Sequence, residues 1–259
     1  MNKKFLFTST AFTGFVLLLC LSVTGQNYPP ERIKYELPEI TDSSSFVQHL
    51  TYSLSYNEKY EQASWVAYTL TKDRLINETE RDDNFRPDTL VATGSATPGD
   101  YKKSGYDKGH LAPAADMSWS KEDMSESFLM SNMSPQKPGF NRGIWKRPEQ
   151  MVREFAKKND TIYIATGPIL KDRLKKIGKN KVAVPQAYYK VLIVYKHNEQ
   201  KGIGFLLKNT SSNKPLQSFA VSIDSVETIT GINFFSKIPE KIQEKIESQC
   251  IVGEWIKEK

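Results

Sequence analysis

Apolar and polar positions alternate along several stretches of the chain with the period of two that is typical of β-strands. Four runs predict strands: "SWVAYTL" from Ser64, "DTIYIATGPIL", "AYYKVLIVYK" and "KGIGFLLKN", the last two separated by the break "HNEQ". A shorter apolar run in "MSESFLMSNMSPQ" predicts a further strand that ends in a turn at residues 132–135. Because successive strand side chains point to opposite faces, we expect one of Tyr188 and Tyr189 to face the core and the other to be exposed.

Helical periodicity is clearest in the middle of the chain. A helix over residues 141–158 would place Ile144, Trp145, Val152 and Phe155 near one face, and we expect Trp145 and Phe155 to lie in the core. "SIDSVETITGINFFSKIP" predicts a short helix followed by a strand, and the charged C-terminus is helix-prone. Strands, a central helix and further strands predict an α+β domain with a mixed sheet core.

The first 25 residues differ from the rest of the chain. Two lysines precede the apolar stretch "FLFTSTAFTGFVLLLCLSV" and small residues follow it, which is typical of a secretory signal peptide. We predict a signal peptide over residues 1–25, an extended lead-in over 26–45 and a single domain over 46–259, secreted or periplasmic and without a membrane span in the mature chain. Two alternatives stay open: a retained membrane anchor and lipid attachment at Cys20.

Net charge and cysteine content limit the kinds of partner and of structural site that the protein can have. The formal net charge of +6 falls to +4 once residues 1–25, with their two lysines, are removed. This balance is compatible with a polyanionic partner but is far weaker than that of a dedicated nucleic-acid-binding protein. Without Cys20 the mature chain keeps only Cys250, which excludes an internal disulfide and a metal site built on cysteine.

A group of polar residues suits phosphate chemistry. Asp107-Lys108-Gly109-His110 occurs in "SGYDKGHLAPAADM", and Asn132, Asn141 and Glu149 follow it. Cleaving a phosphodiester requires a base for the attacking water and stabilisation of charge on the phosphate. Histidine is a suitable base near neutral pH, lysine can clamp phosphate, and oxygen ligands can hold a hard divalent cation.

The spacing of Asn141 and Glu149 limits how they could share a cation. On a continuous helix, eight residues give about 80° of rotation and about 12 Å of rise. The spacing therefore permits one direct ligand and one carboxylate that acts through water, which suits magnesium. Taken singly, the two residues have simpler explanations, since Asn141 suits a helix N-cap and Glu149 a solvated helical position.

Several segments in one order resemble a known family. "DKGHLAPAADM", "FLMSNMSPQ", "FNRGIWKRPE" and "YIATGPI", continued by "VAVPQAYYKVLI" and "SIDSVETITGINFF", are similar to the DNA/RNA non-specific endonucleases, the sugar-non-specific ββα-metal nucleases. The resemblance covers roughly residues 64–239. It implies a ββα-metal nuclease motif in the α+β fold and a magnesium-dependent endonuclease that hydrolyses phosphodiester bonds of DNA and RNA.

The resemblance also implies a role for each motif residue. His110 matches the general base that activates water, and Asn141 matches the single side chain that binds the metal directly. Glu149 matches the carboxylate that orders water around the metal. Asn132 matches an asparagine that supports the site by fixing the histidine or the substrate phosphate. Lys108 takes the place of the family's motif arginine near the phosphate.

The family also uses an upstream arginine on the phosphate or the leaving group. Arg81 and Arg86 both lie in the right region, and the sequence does not choose between them. Two departures from the family affect the site. Lys108 keeps the charge of arginine but loses its bidentate fork. Pro148, directly before Glu149, would kink the predicted helix unless a new helix starts there.

The implied cofactor is Mg²⁺, with Mn²⁺ as a substitute and no organic cofactor, and the implied partners are DNA and RNA. Two alternatives remain: a catalytically weakened secreted protein that binds nucleic acid on the same scaffold, and an unrelated secreted surface protein of the same fold. The sequence leaves the oligomeric state open.

Overall fold

The computed structural model describes residues 33–256, which contain eleven strands and five helices. The strands are β1 Phe46–Gln48, β2 Tyr52–Asn57, β3 Gln62–Thr71, β4 Asp107–His110, β5 Met133–Gln136, β6 Thr161–Pro168, β7 Lys176–Ile177, β8 Val182–Ala183, β9 Ala187–Lys196, β10 Glu199–Lys208 and β11 Ala220–Val221. The helices are α1 Pro98–Tyr101, α2 Lys121–Ser127, α3 Lys146–Asn159, α4 Ile223–Thr230 and α5 Glu240–Glu247. The predicted signal peptide lies outside the described residues. Within residues 33–256, no helix is both long and apolar enough to cross a membrane.

Seven strands form one antiparallel sheet in the order β1-β2-β3-β6-β9-β10-β11. The four long alternating runs of the sequence form β3, β6, β9 and β10, so those predictions are confirmed. The pairs β4–β5 and β7–β8 are separate two-stranded ladders. The α+β fold is therefore a large antiparallel sheet with helices, and it carries a small additional strand pair at the position of the polar motif.

Both faces of the central sheet are covered. One face packs against α3 through Val152 and Ala156, and the other packs against α4 and α5 through Val226 and Ile246. The prediction for Tyr188 and Tyr189 is therefore wrong, because both are fully buried, one in each core cluster. Trp145 and Phe155 lie in the core as expected.

Two short elements differ from the sequence prediction. The segment predicted as a strand before residue 132 begins as the end of α2, and the strand β5 lies where the turn was expected. Ser120 caps α2 by accepting a hydrogen bond from the Asp123 amide, which fixes a helix start that the apolar run did not indicate. After α4, the described chain contains no strand before α5; Phe234 and Phe235 are buried in the core there.

The central helix starts later than predicted. A π-helical turn, Phe140–Ile144, precedes α3, and Gly143 breaks the helical path with φ −112° and ψ −111°. Pro148 is the third residue of α3, within the first turn, where an amide hydrogen has no helical partner in any case. Pro148 thus belongs to the start of a new helix. The continuous helix assumed for the spacing of Asn141 and Glu149 does not exist.

Candidate active site

The polar motif forms one strand of a two-stranded ladder. β4 pairs antiparallel with β5, with Asp107 opposite Gln136 and His110 opposite Met133. Gly109 is required here because a Cβ atom at this position would overlap the side chain of Gln136. Strand alternation places Lys108 and His110 on the same face. Both approach Phe85, whose ring centroid lies 4.3 Å from the Lys108 Nζ atom and 5.8 Å from that of the His110 ring.

The His110 ring is partly buried against aromatic side chains. Its centroid lies 4.8 Å from that of Phe128 in an edge-to-face arrangement. Nε2 is enclosed without a hydrogen-bond partner, which leaves Nδ1 as the nitrogen that a water can reach. Burial, followed by the positive charges of Arg81 and Lys108, lowers the pKa of His110 to about 3. The imidazole is therefore neutral near pH 7, although a pKa this far below neutrality makes it a weak base.

Asn141 lies in the π-helical turn, and its side-chain amide is held by Asp107. Nδ2 of Asn141 donates to Asp107 Oδ2 at 2.9 Å. Arg142 donates to both oxygens of the same carboxylate, at 2.9 Å from Nε and 2.7 Å from Nη2. Burial opposes ionisation of Asp107, but the hydrogen bonds from Arg142 and Asn141 outweigh it and lower the pKa of the carboxyl. The arrangement leaves Asn141 Oδ1 without a hydrogen-bond partner among the described residues.

Glu149, in the first turn of α3, is partly buried and accepts no hydrogen bond from the described residues. Burial raises its pKa, and the nearby positive charge of Lys190 opposes this. Lys190 is fully buried in β9, and burial lowers its pKa. Asp116, also fully buried, accepts hydrogen bonds from Arg153 and Tyr68, each at 2.7 Å. A buried group of charges thus lies beside the carboxylate of Glu149.

An open cleft of about 570 Å³ brings several candidate residues together. Arg81, Lys108 and Asn141 line it, together with Phe85 and Asp107. His110 and Glu149 are not part of the lining, although His110 contacts Phe85, which is. The cleft therefore combines four cationic side chains, including Lys102 and Arg142, with an amide oxygen, and the candidate base lies at its border.

The structure distinguishes the two upstream arginines. The Arg81 guanidinium lies 4.8 Å from the Phe128 ring, next to His110, and its Nε pairs with Asp83 at 2.7 Å. Arg86 donates instead to the backbone carbonyl groups of Asn84 and Ser125, at 3.2 and 2.9 Å. Arg86 does not line the cleft. Of the two, Arg81 is the one whose side chain lines the cleft.

Asn132 is fully buried below the motif. Its Oδ1 accepts from the Ala112 amide at 2.9 Å, and its Nδ2 donates to the carbonyl oxygens of Ala112 at 2.9 Å and Ser127 at 2.8 Å. With every polar atom engaged and no exposed surface, this side chain is not in position to touch a substrate phosphate. Of the two roles expected for Asn132, the geometry favours fixing the backbone that follows His110.

Several residues of the site were not assigned a role from the sequence. Asp107 belongs to the motif, but its hydrogen bond with Asn141 forms only when two segments that are distant in the chain come together. Lys190 could have been found as the one charge inside the apolar run "AYYKVLIVY". Asp116 and Arg153 do not lie in a comparable run of large apolar residues, so the sequence does not single them out.

Comparison with known proteins decides the family. The family model for DNA/RNA non-specific endonucleases matches residues 30–241. The chain belongs to this family. The endonuclease is 38% identical over 211 residues to a nuclease from Nostoc sp. (strain PCC 7120), with 76% of each chain covered. It is 34% identical over 223 residues to mitochondrial endonuclease G of Homo sapiens, covering 80% of this chain and 74% of that protein.

A solved structure supports the same conclusion. A chain of the EndoG/EndoGI complex matches with a TM-score of 0.70 and 31% sequence identity, covering 76% of this chain and 87% of that chain. The family and these relatives identify the protein as a phosphodiester-hydrolysing endonuclease that acts on nucleic acid.

Proposed function

We propose that this endonuclease hydrolyses both DNA and RNA with Mg²⁺, that His110 is the general base and that Asn141 is the one direct protein ligand of the metal. Mn²⁺ is expected to substitute. The observation that carries the proposal is the unpartnered Oδ1 of Asn141, fixed by Asp107 in a cleft that also holds Lys108 and Arg81.

The donor atoms fit a hard divalent cation. Asn141 offers an amide oxygen, and Glu149 offers a carboxylate with no hydrogen-bond partner among the described residues. One direct oxygen ligand, with a carboxylate that acts through water, suits magnesium, which keeps most of its hydration shell in proteins. When bound, the ion supplies Lewis-acid stabilisation of the charge that develops on the phosphate and the leaving oxygen.

The side chains of the chain then have distinct tasks. Arg81 and Lys108 hold the non-bridging phosphate oxygens by charge-assisted hydrogen bonds. Neutral His110 accepts a proton from water as the water oxygen bonds to phosphorus, and the bond from phosphorus to the leaving oxygen breaks. Asp107 keeps the amide of Asn141 in one orientation, and Asn132 holds the backbone after His110. Nothing in this set reads a base, so we expect little sequence preference.

The basic test is cleavage of supercoiled plasmid and of structured RNA by the purified mature chain. With Mg²⁺ we expect both substrates to be degraded, and with EDTA we expect both to remain intact until excess Mg²⁺ is added. Cleavage that persists in EDTA would refute the metal requirement. Cleavage of only one nucleic acid would refute the lack of sugar specificity, and cleavage of neither would favour the catalytically weakened binding protein.

Substitution of the two arginines tests the assignment of the phosphate contact. Arg81→Gln should lower kcat/KM by about 10- to 100-fold, because a charge-assisted hydrogen bond to the phosphate is lost. Arg86→Gln should leave kcat/KM nearly unchanged and lower Tm by a few degrees, since its bonds to two backbone carbonyl groups are structural. Steady-state kinetics and thermal melting of both variants measure this. The reverse pattern would transfer the role to Arg86.

Export is a separate proposal, supported by the basic start and apolar stretch of residues 1–25. We propose that the chain is exported and cleaved near residue 25. The N-terminal sequence of protein recovered from the periplasm or the medium tests this, and an intact N-terminus on membrane-associated protein would favour a retained anchor.

A further inference from the structure

Beyond the catalytic cleft, the surface continues into a second concave region that we call the lysine groove, lined by Tyr106, Lys137, Lys175 and Lys208. Two cavities of about 350 and 450 Å³ form it, and both include Tyr106, Lys137 and Lys175. Tyr106 also lines the catalytic cleft. The lysine groove and the catalytic cleft therefore adjoin at Tyr106.

The lysine groove is positively charged without compensation. Its three lysines are exposed, and neither of its cavities is lined by an aspartate or a glutamate among the described residues. In the catalytic cleft, by contrast, Asp83 and Asp107 are each paired with an arginine. The lysine groove is thus suited to a ligand that carries several negative charges.

The floor of the lysine groove is fixed relative to the metal ligand. The carbonyl oxygen of Lys137 accepts from the amides of Phe140 and Asn141, each at 2.9 Å, so Lys137 begins the turn that presents Asn141. The amide of Lys137 donates to Asn209 Oδ1 at 2.8 Å. The buried Asn209 side chain also donates to the carbonyl oxygen of Pro135 at 3.0 Å. Two phosphates, one in the catalytic cleft and one in the lysine groove, would therefore be held at a fixed distance from each other.

We propose that the lysine groove binds the phosphodiester backbone of the substrate strand beyond the scissile phosphate, an inference that rests on the proposed function. Tyr106 lies four residues from His110 along extended chain, about 13 Å, or about four nucleotides at the rise of one strand in duplex DNA. The partly buried ring of Tyr106, with the Lys175 Nζ atom 5.3 Å from its centroid, offers a surface on which a base can stack.

The test compares substrates that can and cannot reach the lysine groove. The triple variant Lys137→Gln, Lys175→Gln, Lys208→Gln should lower kcat/KM about tenfold or more on an oligonucleotide of about twenty nucleotides. It should leave kcat on that substrate unchanged, and it should leave kcat/KM unchanged on a dinucleotide substrate, which has no phosphate beyond the scissile one. The slope of log kcat/KM against log salt should decrease by about 2 for a single strand, because three phosphate contacts are lost.

The matched control removes three exposed lysines elsewhere: Lys237→Gln, Lys241→Gln, Lys245→Gln. Equal effects of the two triple variants, or equal losses on the long and the short substrate, would overturn the inference while the proposed function stands. A wild-type chain that cleaves neither substrate would overturn the proposed function and, with it, this inference. The single variant Lys175→Gln should have an unchanged Tm. Its kcat/KM should fall on the long substrate only, and by less than in the triple variant.

Discussion

His110→Ala should lower cleavage of DNA and RNA by about 10²–10⁴-fold, the usual contribution of a positioned general base. The loss should appear in kcat, because in the proposed mechanism Arg81 and Lys108, rather than the imidazole, hold the substrate phosphate. The magnesium concentration for half-maximal activity should not change, since Asn141 is held by Asp107 and not by His110. Magnesium titrations of plasmid cleavage with the variant measure both quantities.

His197→Ala is the matched control, because His197 is exposed in the turn between β9 and β10. It should behave as wild type. Full activity of His110→Ala would exclude the histidine as the base, provided that the variant melts as one folded protein.

Asn141→Ala should act on the metal requirement instead. Removing its amide oxygen takes away the proposed direct ligand, so the half-maximal magnesium concentration should rise by at least about tenfold, the lower end of what even supporting groups contribute. Excess magnesium should restore part of the activity. Asp107→Asn should shift the same concentration by about 10- to 100-fold, because the carboxylate that holds both Asn141 and Arg142 is lost.

The two substitutions together separate the roles of base and ligand. If excess magnesium rescued His110→Ala and not Asn141→Ala, the two roles would be reversed. If Asp107→Asn left the magnesium titration unchanged, the orientation of the Asn141 amide would not matter for the metal.

The long strands were predictable because apolar and polar residues alternate over many positions, which indicates one buried and one less buried face. Two other features of the fold were not predictable. The pair Tyr188 and Tyr189 lies in a strand that is covered on both sides, and the pattern of one strand does not show what packs on its second face. The seven-residue α2 and the four-residue β5 are too short for periodicity to decide, and local capping and tertiary pairing set them.

The site follows a similar division. Its motif residues could be named from the sequence because they lie in short segments that resemble a family and occur in the same order along the chain. The break at Gly143 could not be predicted, since glycine in a helical pattern is often tolerated. The contact of Asp107 with Asn141 could not be predicted either, because it joins residues 34 positions apart. The choice of Arg81 over Arg86 required knowing that the Arg86 guanidinium binds carbonyl groups of its own surroundings.

The separation of β4 and β5 from the seven-stranded sheet has a consequence for inactivation. No ladder joins this pair to the sheet within the described chain. It is tied there by side chains, among them Tyr188, whose Oη donates to the carbonyl oxygen of Pro135 at 2.9 Å. Such a unit can open with a smaller free energy than the whole domain. We therefore expect warming to misalign the proposed base and metal ligand while the sheet stays folded, so that activity returns on cooling without global refolding.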